Sequence, residues 1–294
     1  MGKSTAGRLK LIGSMGIWGS LGLFIRGIPL PSSVIANFRG IVGAAFLLLV
    51  MLLGRLPFSR RAVRRNALYL GLSGLMLGFN WILLFESYRY TTIAVATLCY
   101  YLAPIIVVAL SPLVFKEKLS LFRGLCVLAA LFGMVFVSGV AGSGLPAPGQ
   151  IRGIALALGA AVLYASIVIL NKKMRDISGM ERTVVQLGIS ALVLLPYNLL
   201  TVQSPLPELD SFALMLLLAV GIIHTGLAYY MYFGCMDVLP SQTVAMLAYV
   251  DPVVAVLLSA LVLKEPMSSG MWLGAALVIG AAVLLELPVK KKNE

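Results

Sequence analysis

The chain has 294 residues, of which 60% are hydrophobic and only 12% are Asp, Glu, Lys or Arg. Soluble domains carry about a quarter charged residues, so this composition excludes a soluble protein. The formal charge of +12 gathers at the ends of apolar runs, where it orients membrane spans; it gives no ground for a nucleic-acid partner.

A basic start (Lys3, Arg8, Lys10) precedes the first apolar run. No small-residue cleavage site with a polar chain behind it follows, so the run is read as a retained span. At roughly 20 residues per crossing of about 30 Å, spans are predicted at 8–28, 32–54, 66–88, 91–114, 120–140, 151–171, 181–202, 211–234, 240–263 and 268–287. Turn or charge signals fill the breaks, as at Pro29-Leu-Pro31, Arg60-Arg61 and Pro205-Leu-Pro207. The longest linker, around 141–150, divides the chain into 1–144 and 145–294. Rows of small residues, Ala36-xxx-Gly40-xxx-Ala44 and Gly270-xxx-Gly274, predict close helix contacts. Cys99, Cys126 and Cys235 all fall inside apolar runs and read as packing residues.

One stretch occurs twice. Residues 101–120 and 249–268 align without a gap and share Tyr101/Tyr249, Pro104/Pro252, Ser111/Ser259, Lys116/Lys264 and Glu117/Glu265, among others. Each copy is an apolar run interrupted by a proline and ended by a Lys-Glu pair. Five spans separate the copies, so the second enters the membrane upside down. With the N-terminus inside, 18 of the 23 Lys and Arg residues fall on inner segments, which predicts cytoplasmic termini and a plasma-membrane location. Lys116-Glu117 is then inside and Lys264-Glu265 outside. The expected fold is therefore all-α and integral to the membrane, with ten transmembrane helices in two inverted five-helix repeats. Such repeats build secondary transporters, because two halves that exchange conformations give inward- and outward-facing states.

Ten short spans, the five-plus-five repeat, an early arginine in span two (Asn37-Phe38-Arg39-Gly40) and the Tyr…Pro…Lys-Glu endings of spans four and nine resemble the EamA branch of the drug/metabolite transporter superfamily. The resemblance covers nearly the whole chain. It implies transport through a central cavity lined mainly by spans one, three, four, six, eight and nine, driven by protons or by exchange. It implies little about substrate, since the family carries amino acids, drugs, amines and other metabolites. In the family, aromatics of spans one and six often border the substrate, and Trp18 and Tyr164 stand at those places. An acidic residue before the span-nine proline is also frequent, and Asp251 holds that position.

The residues themselves offer further candidates. Asp251 lies near the bilayer centre, where a carboxylate costs roughly 3 kcal/mol unless it faces a cavity or a partner. It reads either as a substrate-amine or proton site, or as a protonated acid bonded at the proline break. Its first-half counterpart is Ala103, so the acid is not part of the shared scaffold. Pro104 and Pro252 each free a carbonyl four residues earlier and read as hinges or as static kinks. At ~1.5 Å rise per residue, Arg39 and Glu86 lie about 7 and about 13 Å from the midplane on the same side. They read as an outer gate or relay, or as a structural ion pair, or Glu86 reaches the surface with Arg89. His224, the only histidine, reads as a proton relay or as a packed, hydrogen-bonded side chain. Trp18, Trp81, Tyr100, Tyr101, Tyr164, Tyr229, Tyr230 and Tyr249 crowd mid-membrane depth and suit an organic cation or flat side chain. Asn80 adds a polar group there. Trp81, Phe85 and Tyr88 also form a stripe that a lipid-facing helix would show. A single histidine without an acid or cysteine cluster predicts no metal site, and no cofactor is expected.

These features predict a secondary transporter of a small organic metabolite, an amino acid or amine, with the lipid bilayer and protons as its other partners. Export is the commoner role in the family; import of an organic cation or amine is the rival. An integral-membrane lipid enzyme would need a nucleophile and base, or metal ligands, at the membrane surface, and the chain offers neither. Monomer and homodimer both stay open.

Overall fold

The computed structural model describes residues 3–115, 121–137, 147–203, 205–236, 238–239, 244 and 247–286, and every regular element among them is helical. Spans one to three are α1 (Lys3–Arg26), α2 (Ser32–Leu53) and α4 (Ala67–Tyr90). Between the last two lies a short helix that hydropathy did not predict, α3 (Arg60–Arg65), started by Ser59, whose side chain accepts from Ala62 N at 3.2 Å.

Span four is not one helix. α5 (Ile93–Tyr100) stops and α6 (Ala103–Phe115) begins after a gap of two residues. Pro104 has no N–H to give the Tyr100 carbonyl, so the ladder is interrupted. Leu102 N turns to Cys99 O at 3.2 Å, and the helical pattern resumes with Ile106 N on Leu102 O at 2.9 Å. Span nine repeats the device: α12 (Val250–Leu261) starts directly after Tyr249 and carries Pro252 in its first turn.

Spans five, six and seven are α7 (Leu121–Val137), α8 (Pro148–Lys173) and α9 (Gly179–Thr201). α9 begins with a capping box between Ser178 and Glu181. Span eight runs through α10 (Ser211–Gly221), a π-helical turn (Ile222–Leu227) and α11 (Ala228–Met236). Span ten is α13 (Ser269–Glu286). Six of these segments are long and apolar enough to cross a membrane alone; α1 and shorter apolar helices in spans five, nine and ten supply the others. Outward-facing leucines such as Leu53, Leu121, Leu192 and Leu200, each more than 70% exposed, present the surface that lipid covers.

Packing follows a five-span exchange. Span two lies against span seven and span five against span ten; contacts of span one with eight and nine are answered by those of span six with three and four. In the row Ala36-xxx-Gly40-xxx-Ala44 the Gly40 position touches Ala191 of α9, as the small-residue pattern predicts.

Opposite ends of the bundle are tied separately. At one end Arg65 pairs with Asp176 at 2.7 Å, Asn66 Nδ2 donates to Arg175 O at 2.9 Å, and Ser59 N donates to Glu181 Oε1 at 2.6 Å. At the other, Lys264 takes a left-handed φ of 53° and folds Glu265 back, so that Glu265 N donates to Ser259 O at 3.1 Å. The Glu265 carboxylate pairs with Arg26, accepts from the Ser259 hydroxyl, and accepts from Ile93 N at 3.1 Å, capping α5. Arg26 also donates to Tyr88 O and Thr91 O at 3.1 and 2.8 Å. One carboxylate thus joins span nine to span one and to the start of span four. Its first-half counterpart, Lys116-Glu117, lies outside the described residues, as do the predicted boundary at 144/145 and the basic run Lys290–Lys292.

Candidate functional site

A cavity of about 300 Å³ lies inside the bundle. Its walls come from spans one, three, four, six, eight and nine, with Arg39 entering from span two. α1 can close on α12 here because Gly19 faces it: a Cβ at that position would stand 2.6 Å from the Asp251 carbonyl oxygen. The two chain breaks meet at the centre. Tyr101 and Tyr249, the tyrosines that correspond in the two repeats, stand just before α6 and α12 with ring centroids 6.3 Å apart.

Most of the candidates from the sequence line this one space: Trp18, Arg39, Trp81, Tyr100, Tyr101, Pro104, Tyr164, Tyr249 and Asp251. Trp18 sits edge-on to Tyr229 at 5.1 Å and 5.4 Å from Tyr232; Tyr100 is 5.4 Å from Tyr164. Asp251 occupies the first turn of α12, where the helix dipole favours a negative charge at membrane depth. The Tyr101 phenol is the hydrogen-bonding group beside its carboxyl. Arg39 is 4% exposed; its Nε donates to Thr225 Oγ1 at 2.7 Å, and its guanidinium lies 4.3 Å above the Trp81 ring and 5.7 Å from Phe85. Among the described residues, neither Arg39 nor Asp251 has an oppositely charged side chain within ion-pair distance.

Other candidates lie apart from the cavity wall. Asn80 is fully buried; its Nδ2 donates to Ala160 O of α8 at 2.6 Å, and its Oδ1 accepts from Tyr100 OH at 3.4 Å. It braces a cavity tyrosine instead of facing the cavity, because one residue along a helix turns the side chain by about 100° from Trp81. The expected pairing of Arg39 with Glu86 does not form. Glu86 accepts from Ser32 Oγ at 2.7 Å and stands 3.5 Å from Arg89 one turn later. Local partners nearer the helix end answer that charge, while Arg39 points inward. The stripe on α4 is not lipid-facing either: Trp81 and Tyr88 line the cavity and Phe85 is fully buried.

His224 is 2% exposed and lies within the π-turn. Its Nε2 is 3.0 Å from Ser20 Oγ, its Nδ1 3.3 Å from Ala219 O, and its ring packs on Phe24 at 4.4 Å. Its carbonyl accepts from Trp18 Nε1 at 2.9 Å, so its contact with the site runs through the backbone. Pro252 is buried and does not line the cavity.

Tyr229 lines the cavity too, whereas its neighbour Tyr230 is 44% exposed and does not; Thr97 and Tyr232, which the sequence did not single out, also line it. Tyr232 was legible, since it follows Tyr229 by three residues on the same face. Thr225, the partner of Arg39, gave no signal: threonine is unremarked in an apolar span, and only the π-turn brings it to span two.

The EamA-like transporter family model matches the chain twice, over residues 5–139 and 151–287. An uncharacterized transporter of Bacillus subtilis strain 168, YxxF, is 29% identical over 256 residues, covering 87% of this chain and 81% of its own length. Protein RarD of Streptomyces exfoliatus is 28% identical over 287 residues, 95% of this chain and 87% of its own. Protein PecM of Dickeya dadantii strain 3937 is 27% identical over 219 residues, 73% and 72% of the two chains. A protein of known crystal structure shares the fold with a TM-score of 0.69 at 21% identity, over 96% of this chain and 98% of that one. With a ten-span bundle around an internal cavity and a family match over both halves, the chain belongs to the EamA-like transporter family and is a membrane transporter.

Proposed function

We propose that the protein exports a small zwitterionic metabolite, an amino acid or a related amine, across the plasma membrane by alternating access coupled to protons or to exchange. One observation carries the reading: Arg39 and Asp251, each without a countercharge among the described residues, line the same aromatic cavity. A carboxylate on the substrate answers Arg39 and an ammonium answers Asp251, with tyrosine and tryptophan faces around the rest. About 300 Å³ is at the small end of ligand sites, which suits a metabolite of amino-acid size. Residues 1–144 and 145–294 act as the two moving halves, and the breaks at Pro104 and Pro252 serve as their hinges. Both termini are cytoplasmic in this reading. An amine or organic cation without a carboxylate is the second reading, favoured by the tyrosines around Asp251.

The test is transport by the purified protein in lipid vesicles, with and without a pH gradient. Matched probes are phenylalanine, phenethylamine and 3-phenylpropionate, with leucine and isoamylamine as the aliphatic pair. The amino acids are expected to move fastest and the deaminated acid not at all; movement of the amines alone would favour the second reading. Asp251→Asn keeps size and hydrogen bonding but cannot ionise, and it should lose about tenfold or more in transport of the amine-bearing probes. Asp251→Glu should keep most of it. Wild-type rates and pH dependence in Asp251→Asn would reduce Asp251 to a helix-start residue and end the proposal.

A further inference from the structure

The π-turn of span eight places one side chain against span two in a way that an α-helix would not. In a π-turn the backbone hydrogen bonds span five residues, and such turns are concentrated at functional sites. Here the Thr225 hydroxyl donates to Val220 O, five residues back, at 2.9 Å. With its proton committed there, the oxygen is left to act as an acceptor, and one of its two lone pairs accepts from Arg39 Nε at 2.7 Å. The methyl of the same threonine fills a notch at Gly43, where a Cβ would come within 2.4 Å of Thr225 Cγ2. Arg39 and Gly43 are four apart and share one face of α2. Thr225 is therefore gripped at both branches: its methyl by Gly43, its hydroxyl by the arginine and its own helix.

The consequence falls on the guanidinium. Its plane is set by the Trp81 ring 4.3 Å away and its Nε edge by Thr225. What remains free to turn toward the cavity is the Nη edge, two parallel donors with the spacing of a carboxylate. We propose that Thr225, presented by the π-turn, is the positioning residue that aims Arg39 and so makes the transporter selective for substrates bearing a carboxylate. The inference rests on the reading that Arg39 takes the substrate carboxylate, and names the group that makes it selective.

Thr225→Val is nearly isosteric, keeps the methyl in the Gly43 notch and removes the hydroxyl, which is both the acceptor for Arg39 and the donor to Val220 O. The readout is the ratio of KM for phenylalanine to KM for phenethylamine in vesicles, which a general loss of stability would not move. Thr225→Val should raise KM for phenylalanine about tenfold, the scale of a hydrogen bond to a charged group, and leave KM for phenethylamine within about twofold. Thr225→Ser, which restores the oxygen, should return the ratio toward wild type. Thr225→Ala gives the same readout should the valine variant fail to fold. Arg39→Lys separates the two levels. If Arg39→Lys shifts the ratio and neither Thr225→Val nor Thr225→Ala does, the positioning role is overturned while the carboxylate assignment stands. If Arg39→Lys leaves the ratio at the wild-type value, the assignment to Arg39 falls and the inference falls with it.

Discussion

Glu86 and Arg39 have separate sets of partners: Ser32 and Arg89 for the carboxylate, Thr225, Trp81 and Phe85 for the guanidinium. Sites without shared partners add in their effects on stability. Glu86→Gln should therefore cost less than about 1 kcal/mol, as expected for a partly exposed pair. Whatever Arg39→Gln does alone, the double variant should match the sum within about 0.5 kcal/mol in thermal unfolding in detergent. A coupling energy well above that would show an interaction between the two charges. At this scale the sequence made depth legible and azimuth not. Polar and aromatic residues in mid-span stand out against an apolar chain, and a rise of about 1.5 Å per residue locates them. That was enough to pick out Asp251, Arg39 and the cavity aromatics. It could not tell Asn80 from Trp81, neighbours in sequence at one depth, of which only the second reaches the cavity.

Among elements, the breaks in spans four and nine were signalled by Pro104 and Pro252, which withhold an N–H in mid-span, although Pro196 lies inside α9 without ending it. The π-turn was not signalled: one extra residue in a turn leaves the apolar run unchanged. Nor was the tie at Glu265, which depends on a left-handed Lys264. That tie makes a prediction. Glu265 holds Arg26, Ser259 and the start of α5 together, so Glu265→Gln should loosen the end of the bundle where span one finishes. With Cys99, Cys126 and Cys235 replaced, a cysteine at the cavity position Thr97 should react with an impermeant thiol reagent about tenfold faster in the Glu265→Gln background, the scale of a lost charge-assisted bond. An unchanged rate would mean that other contacts close this end. The Gly43 notch predicts a second effect: Gly43→Ala forces Thr225 to shift and should cost about 1–3 kcal/mol, the range for overpacking.

For the whole molecule, the ends of the bundle carry its orientation. Asp176 lies with Arg65 at one end, and Glu208 precedes α10 on the opposite side of span seven. Single cysteines at Asp176 and Glu208 in intact cells should be labelled from opposite faces, Asp176→Cys from the cytoplasm only. Labelling of both from outside would remove the inverted arrangement, and with it the mechanism. The charges of the cavity have a consequence for how the cycle runs. Arg39 and Asp251 meet no protein countercharge among the described residues, so in a carrier without cargo water has to supply what Thr225, Trp81 and Tyr101 leave unanswered. Reorientation squeezes that water out, at a cost of several kcal/mol per ion in a low-dielectric interior. The zwitterion proposed above, seated between them, would remove the penalty, and the laden protein would turn over more easily than the vacant one. Under the proposed function the return of the empty protein would then limit the rate, and unlabelled phenylalanine on the far side should speed release of labelled phenylalanine from preloaded vesicles. That trans-stimulation should fade in Arg39→Gln/Asp251→Asn, where no charge is left to strand.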